Sequence, residues 1–62
     1  MVLSQKELLA IARDNVLKYA QEHDMIVLAN KGLHVCRKSE YGVYEIVLSG
    51  EDYFELWFAC QQ

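Results

Sequence analysis

The side chains able to do chemistry are few. His34 and Cys36 stand two residues apart, which puts them on one face of a strand. With Cys60 they would make three of the ligands that a zinc ion takes. The same imidazole and thiol are also the components of a histidine-activated cysteine nucleophile. The spacing argues against both. No CxxC or Cys/His ligand pattern is present, and nothing marks a second shell that would orient the ligands. His23 is a sequence neighbour of Asp24, which does not bring their side chains together. At the end of a helical segment it reads as a packing or capping histidine. The sequence has no glycine-rich phosphate loop, no HExxH and no GxSxG. The chain is therefore read as no enzyme, without metal or cofactor. A small-ligand or metal site at His34, Cys36 and Cys60 is the second reading.

The basic side chains suggest a third. Lys31, His34, Arg37 and Lys38 gather in one short stretch, a modest patch for a nucleic-acid accessory. Charge opposes it. Residues 1–38 carry all six lysines and arginines against four acids, whereas residues 39–62 carry five acids and no base. The net charge is −3. A second half rich in Glu40, Glu45, Glu51, Asp52 and Glu55 repels phosphates and steers toward a basic partner surface. Nucleic acid is not expected as a partner.

These residues must be positioned by a chain of only 62 residues, 53% hydrophobic and without proline. That is one domain, residues 1–62, small enough that a partner often completes its core. No apolar run reaches the roughly 20 residues of a membrane helix. Met1-Val2-Leu3-Ser4 lacks the charged and apolar regions of a secretory signal. With only two separated cysteines, read as small buried thiols, the expectation is a complete cytoplasmic domain without membrane contact.

Ser4 and Glu7 form a capping-box spacing, flanked by Leu3 and Leu8 at staple positions, and predict a helix to about Glu22. Leu8, Leu9, Ala12, Val16, Tyr19 and Ala20 fall on one face of it, while Ile11 and Leu17 project beside the polar face. Met25–Ala29 is a continuous apolar run, expected of a buried strand. Asn30-Lys31-Gly32 is a turn, and Leu33–Lys38 and Val43–Ser49 are two more strands. With Gly50-Glu51-Asp52 as a tight loop, the alternation of Tyr53–Cys60 predicts a fourth. The expected fold class is α+β: one N-terminal helix on a four-stranded antiparallel meander, αββββ, in two layers.

The last hairpin then has two apolar faces. Tyr44, Ile46, Leu48, Phe54, Leu56 and Phe58 point toward the helix in one register. Val43, Glu45, Val47, Tyr53, Glu55, Trp57 and Ala59 point away, joined by two or three side chains of the first strand. One helix cannot cover both faces, so a second copy or another protein is expected on the Trp57 side.

In layout alone the helix-then-meander order resembles cystatin-like and PepSY-type domains. In size, acidity and lack of motifs the chain resembles phage or mobile-element accessory proteins, including anti-CRISPR inhibitors. The first reading is therefore a non-enzymatic protein-interaction module, a small inhibitor or modulator that docks on a larger protein and is itself homodimeric. Its expected interface is Val43, Glu45, Val47, Tyr53, Glu55 and Trp57, with Glu51 and Asp52 of the acidic loop and the outlying Ile11 and Leu17.

Overall fold

Ser4 closes the N-terminus of the first helix, α1 (Gln5–Glu22), its Oγ accepting the Glu7 N–H at 3.2 Å. No glycine or proline interrupts the 18 residues that follow. In the computed structural model, which describes residues 2–62, Ala12, Val16 and Ala20 are the buried stripe of this helix. Tyr19 packs beside them, as the periodicity predicts. Leu8 and Leu9 share the predicted core arc yet remain exposed, because the first turns of α1 reach past the elements that cover the rest.

The helix ends in a Schellman motif. Met25 N–H donates to the Ala20 carbonyl at 2.7 Å and Asp24 N–H to that of Gln21 at 3.3 Å. Asp24 takes the left-handed conformation this requires, with φ 56°. Met25 and Ala20, at the two ends of the motif, both belong to the core.

Three strands follow: β1 (Ile26–Ala29), β2 (Leu33–Lys38) and β3 (Tyr44–Gly50), antiparallel in the order β1-β2-β3. The predicted Asn30–Gly32 turn joins the first two, with Lys31 and Gly32 both at positive φ. The second connection is held by Ser39, whose N–H donates to the Val43 carbonyl at 2.8 Å while its Oγ accepts the Val43 N–H at 3.2 Å.

The predicted fourth strand is a helix. Tyr53–Cys60 forms α2, so the order is αβββα and the sheet has three strands rather than four. The helix-plus-meander likeness to cystatin-like and PepSY-type layouts falls with that strand. Two local interactions account for the helix. Asp52 Oδ1 accepts the Glu55 N–H at 2.9 Å, and Glu55 Oε2 reaches back to accept the Glu51 N–H at 2.7 Å. Asp52 thus caps α2 as Ser4 caps α1, and Glu55 adds a bond back to the residue before the cap. The run Tyr53, Leu56, Trp57, Cys60 also fits i, i+3, i+4, i+7, and these four side chains pack into the core.

Gly50 permits the abrupt change from strand to helix. A Cβ there would lie 2.9 Å from the Leu56 nitrogen and 3.0 Å from the Glu55 Cβ, so only glycine lets α2 fold back over the end of β3. Both helices lie on one face of the sheet. Val16, Ala20, Met25, Val35 and Leu56 form the buried core between the layers, ringed by Val27, Leu33 and Leu48.

Candidate interaction surfaces

The expected chemical cluster does not assemble. His34 is a clasp: its Nε2 lies 2.8 Å from the Asn30 carbonyl oxygen and its Nδ1 2.8 Å from the Ser49 hydroxyl. A carbonyl can only accept, so Nε2 donates to it, and both ring nitrogens are engaged in holding the β1–β2 turn to β3. Cys36 lies on the same face, with its thiol 3.8 Å from the His34 carbonyl oxygen. Cys60 belongs to α2 and packs against the core on the other side of the sheet. Burial pushes the Cys60 thiol pKa up, away from the thiolate a nucleophile or metal ligand must be. Both cysteines are free, and among the described residues no three histidine, cysteine or carboxylate side chains are grouped to hold a metal.

The basic stretch disperses too. Lys31 sits in the turn before β2, while Arg37 and Lys38 end that strand, about 20 Å away at the ordinary strand rise. Arg37 and Lys38 also point to opposite faces.

The expected interface residues go to three different places. Trp57 and Tyr53 lie on α2, half-buried against the core, and are not on an open sheet face. Asp52 and Glu55 are committed to the α2 cap, together with the Glu51 N–H. Val43 is exposed just before β3, and Glu45 lies opposite Arg37 in the β2–β3 register. Val47 is the extra residue of a β-bulge: Val35 pairs with Leu48 and Cys36 with Ile46, leaving Val47 unpaired. Ile11 and Leu17 are partly exposed on α1, as expected.

That bulge redraws the faces. Strict alternation would keep Tyr44, Ile46 and Leu48 together under the helices. One inserted residue leaves Leu48 inside and turns Ile46 and Tyr44 to the other side. The registers then define an outer face opposite both helices. One cross-strand row is Ile26, Cys36, Ile46 and the next is Leu28, His34, Ser49. Tyr44 extends the face at its Lys38 end.

This outer face is apolar and open. Ile26 is 40% exposed, Leu28 41% and Ile46 63%. Cys36 lies between Ile26 and Ile46 and is itself buried. Among the described side chains no element of the chain covers this layer. The exposed apolar side chains of the sheet are thus Ile26, Leu28 and Ile46, whereas the expected face rests on Tyr53 and Trp57, which belong to α2. Ile26, Leu28, Ile46 and Tyr44 were legible only in part: the unbroken run Met25–Ala29 marks a strand apolar on both faces, but nothing local announces the bulge.

The molecule is more extended than a compact chain of its length. The surface is 4968 Å², against about 4,100 Å² for a folded monomer of 7.2 kDa. The radius of gyration is 12.3 Å, against about 10.6 Å for a compact chain of 62 residues. Among the described residues no helix is long and apolar enough to cross a membrane. No family model matches the chain, and no curated protein or solved structure matches it either.

Proposed function

We propose that this chain is a non-enzymatic interaction module whose sheet packs, outer face to outer face, on that of a second copy. The observation that carries the reading is the open face bearing Ile26, Leu28 and Ile46 on the side of the sheet that neither helix reaches. Self-pairing suits the chemistry because the face is apolar at its centre, with Tyr44, Lys38 and Ser49 at its margins, and no charge stands in the Ile26–Cys36–Ile46 row. A twofold axis through this row sets each isoleucine against its apolar counterpart. The module acts by occupying surface, in the cytoplasm.

The test is sedimentation velocity across a concentration series for the natural chain and for Ile46→Lys. Ile46 is exposed in the single chain, so the lysine leaves the fold intact, which far-UV circular dichroism checks. In the pair it places two ammonium groups in one apolar contact, and dimerisation weakens at least tenfold, about 1.4 kcal/mol. A natural chain that stays monomeric at every concentration overturns the proposal. So does a dimer that Ile46→Lys leaves unchanged.

A further inference from the structure

A second surface lies on the helix layer, away from the outer face of the sheet. α1 has 18 residues and runs about 27 Å, whereas α2 has 8 and runs about 12 Å. The shorter helix cannot cover the longer one, and where α2 begins, the first turns of α1 overhang a groove. Two adjoining depressions of about 170 and 370 Å³ share Lys6 and Leu9. Ala10, Arg13 and Tyr53 complete the first, and Gln5, Asp52 and Phe54 line the second. The floor is apolar, and Leu9 is 40% exposed although it sits on the core arc of α1.

The walls are cationic. Among the described residues Lys6 has no carboxylate partner, and the sole ion pair of Arg13 is a 3.7 Å contact with its exposed neighbour Asp14. Lys6 also stands in the first turn of α1, where the helix dipole disfavours a cation. A chain of net charge −3 thus places two cations beside an apolar floor, Arg13 in a long contact with Asp14 and Lys6 at a position where it weakens the helix. The one acid of the groove, Asp52, spends its Oδ1 on the Glu55 N–H.

We infer that the groove between the N-terminal turns of α1 and α2 docks an acidic, apolar segment of another protein. A large apolar side chain of the partner fills the space over Leu9, Tyr53 and Phe54. Carboxylates beside it pair with Lys6 and Arg13. Charge complementarity to Lys6 and Arg13 selects an acidic occupant over a neutral or basic one. The site does not depend on self-pairing.

The probe is a fluorescein-labelled peptide with a central Phe-Leu pair flanked by Asp and Glu, compared with its Asn/Gln and Lys counterparts by fluorescence anisotropy. The acidic peptide binds, the Asn/Gln peptide binds at least tenfold more weakly, and the Lys peptide does not bind. Added salt weakens the acidic complex, and the double variant Lys6→Glu, Arg13→Glu loses at least tenfold in affinity while keeping its circular dichroism spectrum. Ile46→Lys leaves binding unchanged, which separates this site from the sheet face. Lys6→Gln raises the thermal midpoint or leaves it unaltered while weakening the peptide. The inference is overturned if no acidic peptide binds at millimolar protein, or if acidic and neutral peptides bind alike. Sensitivity to Ile46→Lys in place of the Lys6 and Arg13 changes also overturns it, because the peptide would then occupy the sheet.

Discussion

Leu56 and Phe58 separate the two ways of reading residues 53–60. On a strand they share a face, and truncating either would cost alike. On α2 they do not: Leu56 is fully buried, while Phe58 is 67% exposed. Leu56→Ala removes a side chain that touches both layers of the core, a loss of about 2–5 kcal/mol. Full burial of a phenylalanine contributes about 1.5–3 kcal/mol, and Phe58 realises roughly a third of that. Alanine returns part of it through better helix propensity, so Phe58→Ala costs about 0.5 kcal/mol or less. A chain of 62 residues has about 3–9 kcal/mol of stability in all. Leu56→Ala therefore lowers the thermal midpoint by roughly 8–16 °C at the small end of its range, or prevents folding. Leu56→Met, which conserves volume, stays within about 1.5 kcal/mol of the natural chain and shows that the site tolerates replacement. Urea unfolding followed by far-UV circular dichroism reads all three, at a concentration where the chain is monomeric. Equal losses for Leu56→Ala and Phe58→Ala would refute the helical packing of α2.

Three other substitutions and one titration check the remaining links. Asp24→Gly replaces a left-handed aspartate at the end of α1 and stabilises the chain by up to about 1 kcal/mol in urea unfolding; a loss would mean that the Asp24 side chain has a role the backbone does not show. Lys31→Gly, at φ 53° in the β1–β2 turn, gains a similar amount in the same assay, and no gain would place the turn in another conformation. Gly50→Ala forces a Cβ to within 2.9 Å of the α2 backbone and destabilises by about 1–3 kcal/mol, or else α2 does not return over β3 as described. For Cys60, burial holds the thiol protonated above its ordinary pKa, so the unfolded chain loses this proton first as the pH rises. Stability is full at neutral pH and falls through the alkaline thiol range, less so in Cys60→Ala. Urea midpoints against pH read this difference, and parallel curves would contradict it.

How far the fold could be read from the residues depends on whether the signal was local. α1 could be read because cap, periodicity and length agree from Ser4 to Glu22. The first two strands followed from the apolar run at Met25 and the turn at Gly32. α2 was misread although its cap was in plain view, since Asp52 and Glu55 repeat the spacing of Ser4 and Glu7. A run of eight residues, all but Glu55 apolar, fits both a period of two and one of 3.6, and the aromatic residues favoured the strand. The bulge at Val47 has no local signature. It arises where the strand must serve a core at Leu48 and an open face at Ile46, which only the β2 register reveals. The open face lies on Ile26, Leu28 and Ile46 and not on the residues expected, because one strand was really a helix and a bulge turns β3. The groove beside Lys6 was missed for the same reason: it exists only once α2 is helical and short.

Self-pairing through the outer sheet face is tested most directly by isotope-filtered NMR on an equimolar mixture of ¹³C-labelled and unlabelled chains. Intermolecular NOEs are predicted at the methyl groups of Ile26, Leu28 and Ile46 and at the Tyr44 ring. None is predicted at Leu56 or Trp57, which belong to the interior between the sheet and its helices. Intermolecular NOEs confined to the helix layer, or their absence at concentrations where the chain sediments as a dimer, would contradict the account.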